Sequence, residues 1–155
     1  MLKLLTPLGQ VPRRSVGYDA TINAGAGPIS GRWSAINSSG NAVLPAAGAA
    51  GVYLNYEGVV SPKPGATIAI GLTPTFLPAP LVTLPSSVAG AQVALAYGIY
   101  RFTVDIEGFD PTSLVVGSGL QVDAVGRLVL LAGGARVATV EAVTATNLIA
   151  RTLGA

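Results

Sequence analysis

The stretch Tyr100-Arg-Phe-Thr-Val-Asp-Ile-Glu107 decides the fold class, because its side chains alternate in polarity with a period of two. On an extended chain its apolar members, Phe102, Val104 and Ile106, fall on one face, and the polar and charged members fall on the other. This pattern predicts a half-buried antiparallel strand with one solvated face. Gly108 and Asp110-Pro111 follow and predict where the strand ends.

The residues that follow predict further strands joined by tight turns. Leu120 and Val122 share a face, the segment Asp123-Ala-Val-Gly126 predicts a turn, and Leu128 and Leu130 resume the inward face. Aspartate favours the first turn position because its carboxylate accepts hydrogen bonds from nearby backbone N–H groups, and Gly126 supplies a positive φ. Two more strands are predicted, over Arg136 to Val143 and over Leu148 to Leu153.

The same turn pattern occurs earlier in the chain. Asn37-Ser-Ser-Gly40-Asn-Ala-Val-Leu44 aligns with Asp123-Ala-Val-Gly126-Arg-Leu-Val-Leu130, and an Ala/Gly-rich loop follows each segment. An internal duplication would explain the match, and so would chance in a chain rich in Ala, Gly and Val. A hairpin is expected at both places under either explanation.

Proline and glycine punctuate the rest of the chain, and no helical periodicity persists for three turns. In the middle, the runs Ala66 to Leu72 and Leu81 to Leu84 are expected to be edge strands or extended connections, since proline cannot donate to a ladder. Residues 1–30 are expected to form an extended N-terminal arm and lead-in, with a strand folded into the core as the alternative. Residues 31–155 are expected to form a single β domain.

Composition limits the chemistry that the chain can perform. The 155 residues include no cysteine and no histidine, which excludes disulfides, thiolate or imidazole metal sites and mechanisms that need a histidine base. Neither the net charge of +2 nor the scattered basic residues suggest a nucleic-acid partner. The longest apolar stretch, Val88 to Tyr100, is too short to span a bilayer, and Pro7 interrupts the apolar start before a signal-peptide core forms. We therefore expect a product made in the cytoplasm, with no membrane or nucleic-acid partner and no cofactor.

The chain is unusually apolar for a soluble domain, since 50% of its residues are hydrophobic and only 10% are charged. A domain of this size leaves much of its surface exposed, so apolar patches are expected to be covered by other copies or by a larger partner. The alternative is that small alanine side chains account for much of the apolar count.

Only two side-chain groups suggest a site. Asp105, Glu107 and Asp110 could together hold a calcium or magnesium ion, although acids on an exposed strand face are usually solvated. The chain's aromatic residues could line a carbohydrate site, although sparse aromatics in a β domain more often fill the core or anchor an interface. These are Trp33, Tyr18, Tyr53, Tyr56, Tyr97 and Tyr100.

The C-terminal part of the chain resembles the capsid decoration (cement) proteins of tailed phages. The resemblance is carried by Thr112-Ser-Leu-Val-Val-Gly-Ser-Gly-Leu-Gln-Val-Asp-Ala-Val-Gly-Arg-Leu-Val129, then Ala135-Arg-Val-Ala-Thr-Val-Glu-Ala-Val143, and then Leu148-Ile-Ala-Arg-Thr-Leu153. It implies a small, β-rich, non-catalytic protein that is usually a trimer. Such proteins bind the outer surface of the capsid and clamp neighbouring major-capsid subunits, often through an N-terminal arm.

The alternating pattern and the resemblance together predict an all-β sandwich or barrel of jelly-roll-like or β-tulip type. The resemblance further implies that the protein acts as a homotrimer on the major capsid protein of a phage head. The expected capsid contacts lie in the arm, with four apolar anchors and two charged residues. They are Leu4, Leu5, Leu8 and Val11, with Arg13 and Arg14.

Two alternatives stay open at the level of sequence. The first is another virion or surface β module, such as a tail, baseplate or receptor- or glycan-binding domain. The second is a hydrolase or lyase that acts through Asp105, Glu107 and Asp110.

Overall fold

A computed structural model describes residues 2–7, 10–19, 21–22, 28–56, 67–69, 81–83 and 92–154. In these residues the protein is all-β and contains no α-helix. The strands are β1 (Lys3–Leu4), β2 (Arg13–Gly17), β3 (Trp33–Ile36), β4 (Ala42–Val43), β5 (Tyr53–Tyr56), β6 (Thr67–Ala69), β7 (Leu81–Thr83), β8 (Gln92–Ala96), β9 (Arg101–Asp105), β10 (Gly119–Val122), β11 (Leu128–Leu130), β12 (Ala138–Val143) and β13 (Asn147–Thr152).

Two antiparallel sheets form the body of the protein. The first has six strands in the order β1-β9-β13-β12-β10-β11, and the second has five in the order β2-β8-β5-β3-β4. The proline-rich middle contributes β6 and β7, which form a separate two-stranded ladder. The fold therefore confirms the predicted all-β sandwich or barrel.

The main core lies between the two sheets and draws on both. From the six-stranded sheet come the fully buried Phe102 and Leu120, and from the five-stranded sheet come Trp33 and Leu54. A second, smaller cluster covers the other side of the five-stranded sheet and includes Leu95. Consecutive residues of β8 therefore face two different cores, which explains why this central strand has an uninterrupted apolar run rather than an alternating one.

The stretch from Tyr100 to Glu107 contains strand β9, as predicted, but one of its three apolar residues is not buried. Phe102 and Val104 are fully buried, but Ile106 is 45% exposed. The strand ends at Asp105, whose carbonyl accepts the N–H of Gly108 in a turn at 2.9 Å, so Ile106 leaves the alternation of the strand. Leu130 faces inward as predicted, since it pairs with the buried Leu120, but it remains 39% exposed because β11 is the edge strand of its sheet.

The two matching turn sequences have the same hydrogen bonds. The Asn37 side-chain oxygen accepts the N–H groups of Ser39 and Asn41, both at 3.0 Å. The Asp123 carboxylate accepts those of Val125 and Arg127 in the same way, at 2.9 and 2.8 Å. Both turns close antiparallel hairpins, β3–β4 and β10–β11, as predicted.

The two hairpins are also joined to each other through their backbones. The N–H of Trp33 donates to the carbonyl of Gly126 at 2.7 Å. The N–H of Gly48 donates to the carbonyl of Val122 at 2.8 Å, and the Gly48 carbonyl accepts the N–H of Ala135 at 2.9 Å. The Ala/Gly-rich loops, whose function the sequence did not reveal, thus connect one sheet to the other.

The described part of residues 1–30 corrects the expectation of an extended arm. β1 pairs with β9 and β2 pairs with β8, so this segment adds one strand to each sheet. Leu2, Val11 and Val16 are buried in the core clusters. These residues fit the alternative expectation, a strand folded into the core. Burying the apolar side chains of this segment stabilises the domain more than leaving them exposed on an arm.

Thr152 closes the ladder between β13 and β9, and its hydroxyl is buried there. It accepts the N–H of Tyr100 at 2.9 Å and donates to the carbonyl of Gly98 at 2.7 Å. We expect Thr152→Val to lower the free energy of unfolding by about 1–3 kcal/mol, because one buried and one partly buried backbone group lose their partner. Urea unfolding would measure the loss. Thr152→Ser retains the hydroxyl and is the control; a serine variant that loses as much as the valine variant would contradict this prediction.

Candidate functional site

The structure separates the six residues expected to contact a capsid. Leu5 and Arg14 have exposed side chains, and Leu4 is half-buried. Val11 is only 4% exposed and belongs to the main core, so it is not available as an anchor. Leu8 lies outside the described residues, and of Arg13 the backbone alone is described, in β2.

The exposed N-terminal residues are held against the body of the protein. The N–H of Leu5 donates to the carbonyl of Arg101 at 2.8 Å, and the N–H of Arg101 donates to the hydroxyl of Thr6 at 2.9 Å. Leu5 therefore lies at an edge of the six-stranded sheet, and Arg14 lies on β2 at an edge of the other sheet. Any partner that uses both residues must contact two sheet edges rather than one flexible segment.

The carboxylates of Asp105 and Asp110 accept hydrogen bonds in local turns, and Glu107 lies in the first of these turns with an exposed side chain. An Asp105 carboxylate oxygen accepts the N–H of Glu107 at 3.3 Å. Asp110 accepts the hydroxyl and the N–H of Thr112 at 2.6 and 2.9 Å, and the hydroxyl bond first, then the backbone bond, lowers the pKa of this carboxyl. Among the described residues, no group of three or more acids could hold a metal ion, so the structure does not support the three-carboxylate site that the sequence left open.

Among the described residues, the most exposed large apolar side chains form a pair on the connection between β9 and β10. Val115 and Val116 are 64% and 68% exposed. The N–H of Ser118 donates to the Val115 carbonyl at 3.0 Å, and the N–H of Val115 donates to the Ser118 hydroxyl at 3.1 Å. Gly117 donates to the carbonyl of Val140 in β12 at 2.9 Å. We call this turn, residues 115–118, the valine turn; its hydrogen bonds present both side chains outward.

Other large apolar side chains are exposed elsewhere on the described surface. Ile99 and Leu153 lie together, since both line one shallow depression that also contains Arg151. The remaining members are Leu5, Leu44, Ile106, Val125, Leu130 and the valine turn. This distribution agrees with the apolar exterior that the composition predicts, and it shows that the exposed apolar area is not made of alanine alone.

A cavity of about 260 Å³ lies where the ends of the two sheets meet. Four of the six aromatic residues singled out in the sequence line it, namely Trp33, Tyr53, Tyr97 and Tyr100. The rings of Tyr53 and Tyr97 are 4.6 Å apart. Burial raises the pKa of the Tyr100 hydroxyl above its ordinary value, so this group stays protonated at neutral pH. We call this site the aromatic cavity.

Sequence reasoning missed two features of these sites. Val115-Val116 stands directly before Gly117-Ser118, and two apolar β-branched residues beside a turn signal could have indicated an exposed tip. Arg136 also lines the aromatic cavity, but nothing in its sequence context indicates this, because the cavity joins segments that are far apart along the chain.

Comparison with known proteins identifies no relative. No family model matches the chain, and neither a curated protein nor a solved structure matches it significantly. Within the described residues, no helix has the length and apolarity needed to cross a bilayer.

Proposed function

We propose that this protein is a non-catalytic structural component of a phage virion that binds the outside of the capsid as a homotrimer and stabilises the head. The observation that carries the proposal is the valine turn, an outward pair of apolar side chains on a rigidly hydrogen-bonded tip. Large apolar groups fixed in this way at a surface are typical of residues that a partner covers.

The geometry of the tip suits attachment to a large, preformed shell. The turn is tied to β12 by the Gly117 hydrogen bond, so little conformational freedom is lost when a partner covers it. Burying one valine side chain contributes about 1.5–3 kcal/mol at most. Three copies in a trimer would engage at once, and such modest single contacts would then sum to firm attachment.

Two further observations support the proposal, one from the sequence and one from the surface. The resemblance to decoration proteins falls on the segment that contains the valine turn, and the hairpin at its centre is formed. Leu5 and Arg14 remain exposed at the two sheet edges, where they can add contacts to the same partner.

We expect the double variant Val115→Ser/Val116→Ser to bind expanded empty heads at least tenfold more weakly than the original protein, because it removes about 1.4 kcal/mol or more of apolar burial per copy. The heads would be assembled from the major capsid protein of the same genome, and co-sedimentation would measure binding. Val125→Ser changes an exposed valine in a different turn and is the matched control.

The same measurements can contradict the proposal. Unchanged binding of the double variant would show that the valine turn does not contact the capsid. Equal weakening by Val125→Ser would show that the effect is not specific to the valine turn. Light scattering should give three times the chain mass of 15.5 kDa, and a stable monomer would contradict the trimer. Attachment to host cells with none to heads would replace the proposal with a receptor-binding module.

A further inference from the structure

The two main sheets repeat one arrangement of five strands. We call β2, β3, β4, β5 and β8 unit 1, and we call β9 to β13 unit 2. Unit 1 has the sheet order β2-β8-β5-β3-β4, and unit 2 has the sheet order β9-β13-β12-β10-β11. In both units, the strands lie in the order first, last, fourth, second and third along the chain. β2 and β9 are therefore equivalent, and each ends its unit on the same side.

Hydrogen bonds outside the ladders repeat as well. The segment Gly17-Tyr-Asp-Ala-Thr21 recurs as Gly108-Phe-Asp-Pro-Thr112. In each segment the aspartate donates its N–H to a carbonyl of the unit's third strand, that of Ala42 or Leu128, at 2.9 Å. Its carboxylate accepts the hydroxyl and the N–H of the threonine two residues later. The two units therefore match in hydrogen bonding as well as in strand order.

In unit 2 a further strand covers the outer edge of β9. That strand is β1, which is antiparallel to β9 and has Lys3 opposite Thr103. The N–H of Leu5 continues the pairing by donating to the carbonyl of Arg101 at 2.8 Å. The outer edge of the first strand of this unit thus accepts an antiparallel strand through its backbone groups.

In unit 1 the equivalent edge of β2 is open. The N–H of Tyr97 donates to the carbonyl of Pro12 at 2.9 Å, next to the ladder that joins β2 and β8. Because hydrogen-bonded pairs alternate along an antiparallel ladder, the backbone groups of Arg13, Ser15 and Gly17 point away from β8. Ser15 is exposed, and no described residue bonds to its outward backbone groups.

The register shows which residues of the two edges are equivalent. The carbonyl of Tyr100 accepts the N–H of Thr152 at 3.0 Å, which is the counterpart in unit 2 of the bond to Pro12. Ser15 and Thr103 each lie three residues beyond that carbonyl. A strand added to β2 in the register of β1 would therefore exchange its hydrogen bonds with Ser15.

The open edge is positively charged. Arg14 is exposed and, within the described part of the chain, has no carboxylate partner; Arg13 precedes it. Val16, which is 5% exposed, lies on the same face of β2 as Arg14. Directly opposed side chains stabilise a sheet when their charges are opposite or when both are apolar. The strand that suits this edge therefore carries a carboxylate opposite Arg14 and an apolar side chain opposite Val16.

We propose that the outer edge of β2 binds an extended acidic segment of another protein, which adds to unit 1 as an antiparallel strand. The segment exchanges backbone hydrogen bonds with Ser15 and places a carboxylate opposite Arg14. The same edge of a second copy does not suit this position, because pairing β2 with β2 would bring the arginines of the two chains together. The inference does not depend on attachment to a capsid.

A peptide in the register of β1 is the probe. Its sequence, acetyl-Leu-Lys-Glu-Leu-Thr-amide, is that of residues 2–6 with glutamate in place of Leu4. We would titrate it into the ¹⁵N-labelled protein. We expect a saturable shift and slower hydrogen exchange at the amide of Ser15, and no shift at Thr103, whose edge β1 already covers. Without peptide, the amide of Ser15 should exchange much faster than that of Thr103 for the same reason.

Two control peptides separate charge from backbone pairing. Lysine in place of the glutamate should weaken binding about tenfold, because an attractive cross-strand pair becomes a repulsive one. A methyl group on the backbone nitrogen of the lysine removes the donor to Ser15 and should abolish binding.

A charge reversal in the protein tests Arg14. Arg14→Glu should reverse the preference, so that the lysine peptide binds more tightly than the glutamate peptide. Arg151→Glu, which changes an exposed arginine of β13, should leave the preference unchanged. Dispersed amide resonances would show that both variants are folded. The inference is overturned if Ser15 is protected from exchange without peptide, if no resonance of β2 moves at about 10 mM peptide, if the methylated peptide binds equally well, or if Arg14→Glu keeps the original preference.

Discussion

Gly126→Ala should destabilise the protein far more than Gly40→Ala, although the two glycines occupy equivalent positions in matching turns. Both have a left-handed backbone, with φ of +81° and +80°, so alanine at either position costs about 1–2 kcal/mol. At Gly40 an added Cβ would have no heavy atom within 4 Å. At Gly126 it would lie 2.3 Å from the carbonyl oxygen of Trp33, which must then move.

The displaced backbone is the one that joins the two hairpins, because Trp33 donates its N–H to the Gly126 carbonyl. We therefore expect Gly126→Ala to cost about 1–3 kcal/mol more than Gly40→Ala, the range typical of overpacking. The difference in free energy of unfolding between the two variants, from urea titrations under the same conditions, measures this contribution. Equal losses would mean that the contact between hairpins does not constrain the fold.

Phe102→Ala should lower the free energy of unfolding by about 3–5 kcal/mol, which is a large part of the total stability of a domain of this size. Phe102 is fully buried at the centre of the main core. Its ring meets that of Trp33 edge to face at 6.0 Å and lies 5.9 Å from that of Tyr100, so alanine leaves a cavity between the two sheets. The emission of Trp33 reports on this packing as the variant unfolds.

Thr103→Ala is the control for Phe102→Ala, because it changes the next residue of β9, on the opposite face. Thr103 is half-buried, and we expect its replacement to cost no more than about 1 kcal/mol. If Phe102→Ala were as mild as the control, the contact between the sheets at β9 would not be the principal source of stability.

Local patterns predicted the fold class and most of the C-terminal half because the information there is local. Alternation places Phe102 and Val104 on one face of β9, and the Asp123 carboxylate and Gly126 specify their turn within five residues. The same reasoning failed at Ile106, and it did not predict that Leu130, although on the inward face, would be only partly covered. Whether a side chain of a strand is covered depends on where the strand ends and on what lies beyond the sheet edge, and neither is a local property.

The N-terminal segment likewise shows that local patterns cannot predict contacts between distant parts of the chain. Its prolines and glycines suggested an arm, but β1 and β2 pair with strands roughly eighty or more residues further along the chain. The hydrogen bonds of such pairing offset the entropy lost in closing the long loop only when the partner strand is formed. No local signal in the sequence indicates which strand that partner is.

The sequence by itself determined that this is an all-β, charge-poor protein, because composition and a two-residue period do not depend on how the strands are arranged. Only the tertiary structure decided where chemistry is possible. Among the described residues it forms no three-acid group that could hold a metal ion, and it brings Trp33, Tyr97 and Arg136 to one cavity from three distant segments. A binding site requires side chains that converge in space, and convergence is a property of strand order and sheet packing rather than of neighbouring residues.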